Sequence, residues 1–177
     1  MILPKTKVPS LEIPLINGAN WVLSEQTPEN FVLVVFYRGL HCPVCKQQLE
    51  ELTNNLDKFI DRGIHVIAVS TDSKERAIKT GEKWDITSLP LGYNLSLKKA
   101  QQYGLFISEG ISDKEPNYFT EPGLFLIKPD GTLFFSSIQS MPFARPQCSD
   151  LLDGIDYIMK NDYPSRGEVK EIKDIEA

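Results

Sequence analysis

The apolar positions of the chain change period once, sharply, and the change brackets its most reactive residues. Residues 31–37, Phe-Val-Leu-Val-Val-Phe-Tyr, form an unbroken apolar run rich in valine and aromatic residues. The run is too short for a helix and predicts a buried central strand. Leu49, Leu52, Leu56 and Phe59, with Ile60 beside the last, then recur at helical spacing. This predicts one helix over residues 45–62, ended by Gly63. Between strand and helix stands Arg38-Gly39-Leu40-His41-Cys42-Pro43-Val44-Cys45.

The remaining pattern completes an α/β chain. Residues 1–9 read as an extended arm, and residues 11–15 and 21–23 as a hairpin turned at Asn17-Gly18. A second buried strand over residues 64–70 follows the thiol helix, so the two strands run parallel across a right-handed crossover. A polar helix starts at Ser73, residues 89–93 make a short strand or turn, and a short helix from Ser96 stops at Gly104. Residues 105–118 read as an irregular polar loop. Residues 123–127 and 132–136 form an antiparallel hairpin around Lys128-Pro129-Asp130-Gly131. Ser149 is the expected cap of a last helix reaching Lys160, with Leu151, Leu152, Ile155 and Ile158 inward. One domain over residues 1–177 is expected, with a loose charged tail at 165–177.

Composition narrows the function classes. A chain of 177 residues, 41% hydrophobic and 24% charged, can bury one sizeable core. Its formal charge of −5 and its lack of clustered Lys and Arg argue against nucleic acid as a partner. No apolar run approaches a membrane span. Residues 1–10 hold two lysines without an apolar core behind them and do not look like a signal peptide. Three cysteines, two in one Cys-x-x-Cys, do not make a secreted disulfide framework. A cytoplasmic, thiol-reducing setting is the expectation.

Pro43 suits the first helical position, which puts Cys42 at or beside the N-cap and Cys45 in the first turn. Cys42 is therefore expected to be the more exposed thiol and Cys45 the partly shielded one. Free amide N–H groups and the helix dipole favour thiolate there, and Cys-x-x-Cys pairs commonly have lowered pKa values. Arg38 and His41 are close enough in sequence to add positive charge.

The order strand, Cys-x-x-Cys helix, strand, helix, hairpin and final helix resembles the thioredoxin fold. The N-terminal hairpin, the Val69-Ser70-Thr71-Asp72 that closes the second strand and the Lys-Pro-Asp-Gly turn look like its peroxiredoxin branch, the alkyl hydroperoxide reductase and thiol-specific antioxidant superfamily. The resemblance implies a thioredoxin-like fold, a central mixed sheet flanked by helices with an N-terminal hairpin extension. It also places Cys45 at the peroxidatic cysteine of the family's Pro-x-x-x-Thr-x-x-Cys motif. Arg38 then stands at the motif's proline and Cys42 at its threonine, while Glu121-Pro122-Gly123 stands where the family has a later arginine. Cys42 and Pro122 instead match thioredoxins, whose equivalent proline follows a cis bond and packs on the thiols.

Two mechanisms follow. In the leading one, Cys42 attacks a substrate disulfide and Cys45 resolves the mixed disulfide. In the second, a hydroperoxide oxidises Cys45 to a sulfenic acid that condenses with Cys42. The expected site is Cys42 and Cys45, with Arg38, His41, Pro43 and Pro122 toward substrate. Arg145, in the proline-containing connection over residues 142–146, is a further donor able to enter it. The expected partners are a protein or small-molecule disulfide or a hydroperoxide, and a thiol electron donor such as thioredoxin or glutathione. A homodimer is left open, and no organic cofactor or metal is required. A metal reading would use His41, Cys42 and Cys45, with Cys148 or a second chain supplying a fourth ligand, for Zn²⁺ or Cu⁺, and a redox-inactive binding module is the remaining reading. Cys148 alone reads as a buried filler and His65 as structural. Tyr118, Phe119, Phe134 and Phe135 read as core or edge packing.

Overall fold

A computed structural model describes residues 1–171. Its centre is a five-stranded mixed sheet. The apolar run supplies β3, Phe31–Phe36, buried at every position. On one side β3 pairs in parallel with β4, Ile64–Val69, and β4 with β5, Leu91–Gly92. On the other side β3 pairs antiparallel with β8, Gly123–Ile127, and β8 with β9, Leu133–Ile138. Parallel strands need a crossover, and antiparallel β8 and β9 need only the short turn whose Lys128 N–H bonds to Thr132 O.

Alternation along β3 divides the core into two layers. Phe31, Leu33, Val35 and Tyr37 face one cluster with Cys42, Cys45, Leu49, Leu52 and Leu152. Val32, Val34 and Phe36 face another with Ile13, Trp21, Tyr103 and Phe125. The first layer is covered by α1, Pro43–Asn54, α2, Leu56–Ile60, and the last helix α5, Cys148–Asn161. The second is covered by the N-terminal hairpin of β1, Glu12–Pro14, and β2, Asn20–Val22, and by α4, Leu97–Gln102. The polar helix is α3, Lys74–Lys83, capped by the Ser73 side chain.

Three expectations change. The thiol helix, which begins at Pro43 as that proline predicts, breaks at Asn55, whose N–H is shared among the carbonyls of Glu51, Leu52 and Thr53. The segment read as an irregular loop contains β6, Ile107–Glu109, which pairs antiparallel with β7, Tyr118–Thr120. The last helix is capped at Gln147, so Ser149 lies inside it. Among the described residues no helix is long and apolar enough to cross a membrane.

The charged tail is anchored where it starts. Ser165 is buried and its hydroxyl donates to Phe134 O at 2.6 Å, while Lys5 of the N-terminal arm pairs with Glu168. Residues 172–177 lie outside the described residues. Ser165→Ala leaves a strand carbonyl without its donor and is expected to cost about 1 kcal/mol, read as a shift of the urea unfolding midpoint at unchanged slope.

Candidate active site

The site is built where β3 gives way to α1. Pro43 occupies the first helical position and Cys42 is the N-cap, its sulfur accepting the Cys45 N–H at 3.2 Å. Cys45 lies in the first turn, and the two sulfurs are joined as a disulfide with Cα atoms 5.2 Å apart. That separation is within the usual range for such a bridge.

Both sulfur residues are fully buried, at 0% exposure, so the expected contrast between an open Cys42 and a shielded Cys45 is absent. Part of the cover comes from far along the chain. Arg145, in the 142–146 connection, points its Nη2 at Cys45 Sγ (3.3 Å) and Cys42 Sγ (3.7 Å). Its Nη1 donates to Gln48 Oε1 at 2.7 Å and its Nε to Pro142 O at 2.6 Å. All four acceptors are uncharged. Burial, with repulsion from Arg38, pulls the Arg145 pKa down to about 10 against the opposing effect of Glu121, so the group remains a cation at neutral pH. A cleft of about 240 Å³ lined by Val44, Gln48, Phe143 and Arg145 opens beside it.

A second group of side chains lines the loop before Cys42. Arg38 lies over the Phe119 ring at 4.6 Å, with Glu121 Oε2 at 3.4 Å and Glu115 Oε1 at 3.8 Å. Glu121 is 3% exposed, and its other oxygen accepts the Ser108 hydroxyl at 2.6 Å. His41 packs edge-on against the same Phe119, with centroids 4.6 Å apart. Burial foremost, then Arg38, lowers its pKa, so His41 adds no positive charge of the kind expected.

Asp72 fixes this loop. It is 1% exposed, accepts the Leu40 N–H at 2.8 Å and pairs with Arg76 Nε at 2.7 Å. Gly39, at φ +127°, lies so close that a Cβ there would come within 2.6 Å of the Asp72 carboxylate.

The other candidates fall as follows. Pro43 is exposed at the helix start. Pro122 is buried ahead of β8 with its carbonyl accepting Gln139 N–H. Among the described residues no peptide bond is cis, so Glu121-Pro122 is trans, contrary to the thioredoxin likeness. Trans is the intrinsically favoured form, and the corner is built around it by the Glu121 N–H to Phe106 O bond. Cys148 is buried, and burial, reinforced by Glu51, pushes its thiol up to about 12. Among the described residues no group of three or more His, Cys, Asp and Glu could hold a metal ion, so His41, Cys42, Cys45 and Cys148 do not assemble as one. His65 is exposed on β4. Phe119 and Phe134 are buried as packing residues, whereas Tyr118 and Phe135 are exposed. Asp72, Arg76 and Glu121 are site residues that the sequence pattern does not single out; the Val69-Ser70-Thr71-Asp72 at and after the end of β4 is the signal available for the first.

A family model described as the AhpC/TSA family matches residues 4–136. The probable peroxiredoxin prdx-3 of Caenorhabditis elegans is 28% identical over 151 residues, covering 80% of this chain and 63% of the relative. The chain thus spans less than two thirds of that relative's length. Peroxidoxin BcpB of Mycobacterium tuberculosis has a similar fold, at TM-score 0.69 and 18% identity over 91% of this chain and 98% of that one. Reduced Prx3 of Vibrio vulnificus, solved in complex with H2O2, matches at TM-score 0.72 and 13% identity over 88% and 99%. These two likenesses bear out the thioredoxin-like fold.

Two outcomes follow from the geometry. Gly39→Ala is expected to destabilise the protein by about 1–3 kcal/mol, measured by denaturant unfolding. In the native protein a thiol reagent at neutral pH should leave Cys148, whose thiol burial and Glu51 hold protonated, unlabelled until unfolding, as mass mapping would show.

Proposed function

The chain belongs to the AhpC/TSA family, and on that premise we propose that it is a thiol-dependent peroxidase in which Cys45 is oxidised and Cys42 resolves. The observation that carries this reading is the Arg145 guanidinium within 3.3 and 3.7 Å of the two sulfurs. Cleaving an O–O bond needs donors aimed at the oxygens and a thiolate held ready. The family's threonine and arginine are missing from their places, and Arg145 supplies a cationic donor from a different element.

The Cys45 thiolate attacks the terminal oxygen of R–O–O–H. A sulfur–oxygen bond forms, the O–O bond breaks, and the leaving alkoxide or hydroxide takes a proton from solvent. The resulting Cys45 sulfenic acid condenses with the Cys42 thiol, losing water and giving the Cys42–Cys45 disulfide. Two equivalents of an external thiol then reduce that disulfide and leave as their own disulfide. The exchange chemistry read first from the Cys-x-x-Cys becomes this recycling half. The cycle calls for a thiol donor such as thioredoxin or glutathione and a reducing compartment such as the cytoplasm.

Burial favours the peroxide over a protein disulfide as oxidant. A hydroperoxide group presents two oxygen atoms, whereas a protein disulfide must bring a sulfur in line with an attacking thiolate that here has no exposed surface.

Stopped-flow reaction of the reduced protein with hydrogen peroxide and with a small disulfide tests the assignment. Cys45→Ser should abolish peroxide consumption, and Cys42→Ser should stop at a trappable sulfenic acid on Cys45. Arg145→Ala should slow oxidation by about 10²–10³-fold. Fast disulfide reduction with negligible peroxide reaction would return the assignment to a reductase.

A further inference from the structure

The loop that carries the thiols also holds a donor that the chemistry above leaves unused. Arg76 Nη2 lies 3.4 Å from His41 Nδ1 and 3.5 Å from Lys114 O, while Arg76 Nε is bound to Asp72. A guanidinium can only donate, so Nδ1 must carry the lone pair. The neutral imidazole then bears its proton on Nε2. That Nε2 is shut off from solvent and has no hydrogen-bond partner.

Two more orphaned polar atoms belong to the same cluster. Arg38 Nε and Glu121 Oε2 lie 3.4 Å apart, yet neither has a hydrogen bond or solvent access. Arg38 and His41 meet on Phe119, and His41 directly precedes Cys42, the N-cap of α1. The cluster therefore lies on the loop that carries the dithiol. Buried polar groups normally find partners, and orphans gathered beside a reactive centre point to a ligand.

Two N–H donors and one carboxylate acceptor complement a hydroperoxide group, which offers oxygen lone pairs and one O–H. Resting on the peroxidase reading, we infer that the His41 Nε2–H donates to an oxygen of the bound hydroperoxide, with Arg76 and Asp72 as positioning residues that set its tautomer. The donor is a neutral imidazole, so it polarises the O–O bond without transferring a proton, and the leaving oxygen is still protonated by solvent.

The test separates the donor from the ring. His41→Phe keeps an aromatic ring against Phe119 and removes the N–H, whereas His41→Gln loses the ring and returns an amide N–H at about the Nε2 position. In stopped-flow oxidation of the reduced proteins by hydrogen peroxide, His41→Phe should be slower than wild type by about tenfold or more, and His41→Gln should recover most of that loss. His41→Phe matching or exceeding His41→Gln would overturn the inference and leave His41 a packing residue. Long-range ¹H–¹⁵N spectra of the wild-type ring should show Nδ1 unprotonated; a proton on Nδ1 would overturn it independently of either variant. A wild-type protein inert to peroxide would remove the peroxidase reading and this inference together, an outcome distinct from the other two.

Discussion

A carboxylate taken almost wholly out of water, that of Asp72, fixes the loop on which the site depends. An unpaired buried charge costs several kcal/mol, so its surroundings must answer it. Here the Leu40 N–H and the Arg76 Nε do so at 2.8 and 2.7 Å. Each answer constrains something else. The Leu40 bond draws the backbone in until only glycine fits at position 39, and the Arg76 bond turns the rest of its guanidinium to His41. Cys42 follows directly, its N–H bonded to Gly39 O and its sulfur capping α1.

The second constraint is a charge without a counter-charge. Around the disulfide, Arg76 has Asp72, and Arg38 has Glu115 and Glu121. Among the described residues Arg145 has only neutral acceptors: a carbonyl, an amide oxygen and two sulfurs. The disulfide gives it no anion, and the reduced state gives it a thiolate. A cation so placed lowers the free energy of the reduced form relative to the disulfide, which makes the bridge easier to reduce and the thiolate more populated at neutral pH. One contact thus serves both halves of the proposed cycle.

What was legible in the sequence was what is local. The change from a valine-rich run to helical spacing located β3 and α1, and Pro43 at the first helical position located the Cys42 cap. The break at Asn55 was hidden because Leu49, Leu52, Leu56 and Phe59 keep a helical period straight through it. Strand β6 was hidden because Ile107-Ser108-Glu109 is too short and polar to show alternation, and its stability comes from pairing with residues 118–120. The burial of Cys42 could not be read at all. Part of it comes from Arg145, 103 residues away, through a contact that leaves no periodic trace. Arg145 could be named as a donor able to enter the site, but only the packing of the 142–146 connection onto α1 seats it on the sulfurs.

That remote cover makes the two halves of the cycle unequal. Oxidation needs only a small molecule to reach a thiolate already held against Arg145. Recycling starts from the state seen here, in which neither sulfur is exposed, and a thiol attacking a disulfide must approach along the S–S axis. The covering segment must therefore give way, and its anchors say how. Arg145 is held by Pro142 O, Gln48 and the sulfurs, and Ala144 before it sits at φ +60°, a conformation that costs a residue with a Cβ about 1–2 kcal/mol. On the proposed cycle the residue that readies the thiolate for oxidation therefore also lies across the bridge that a reducing thiol must reach.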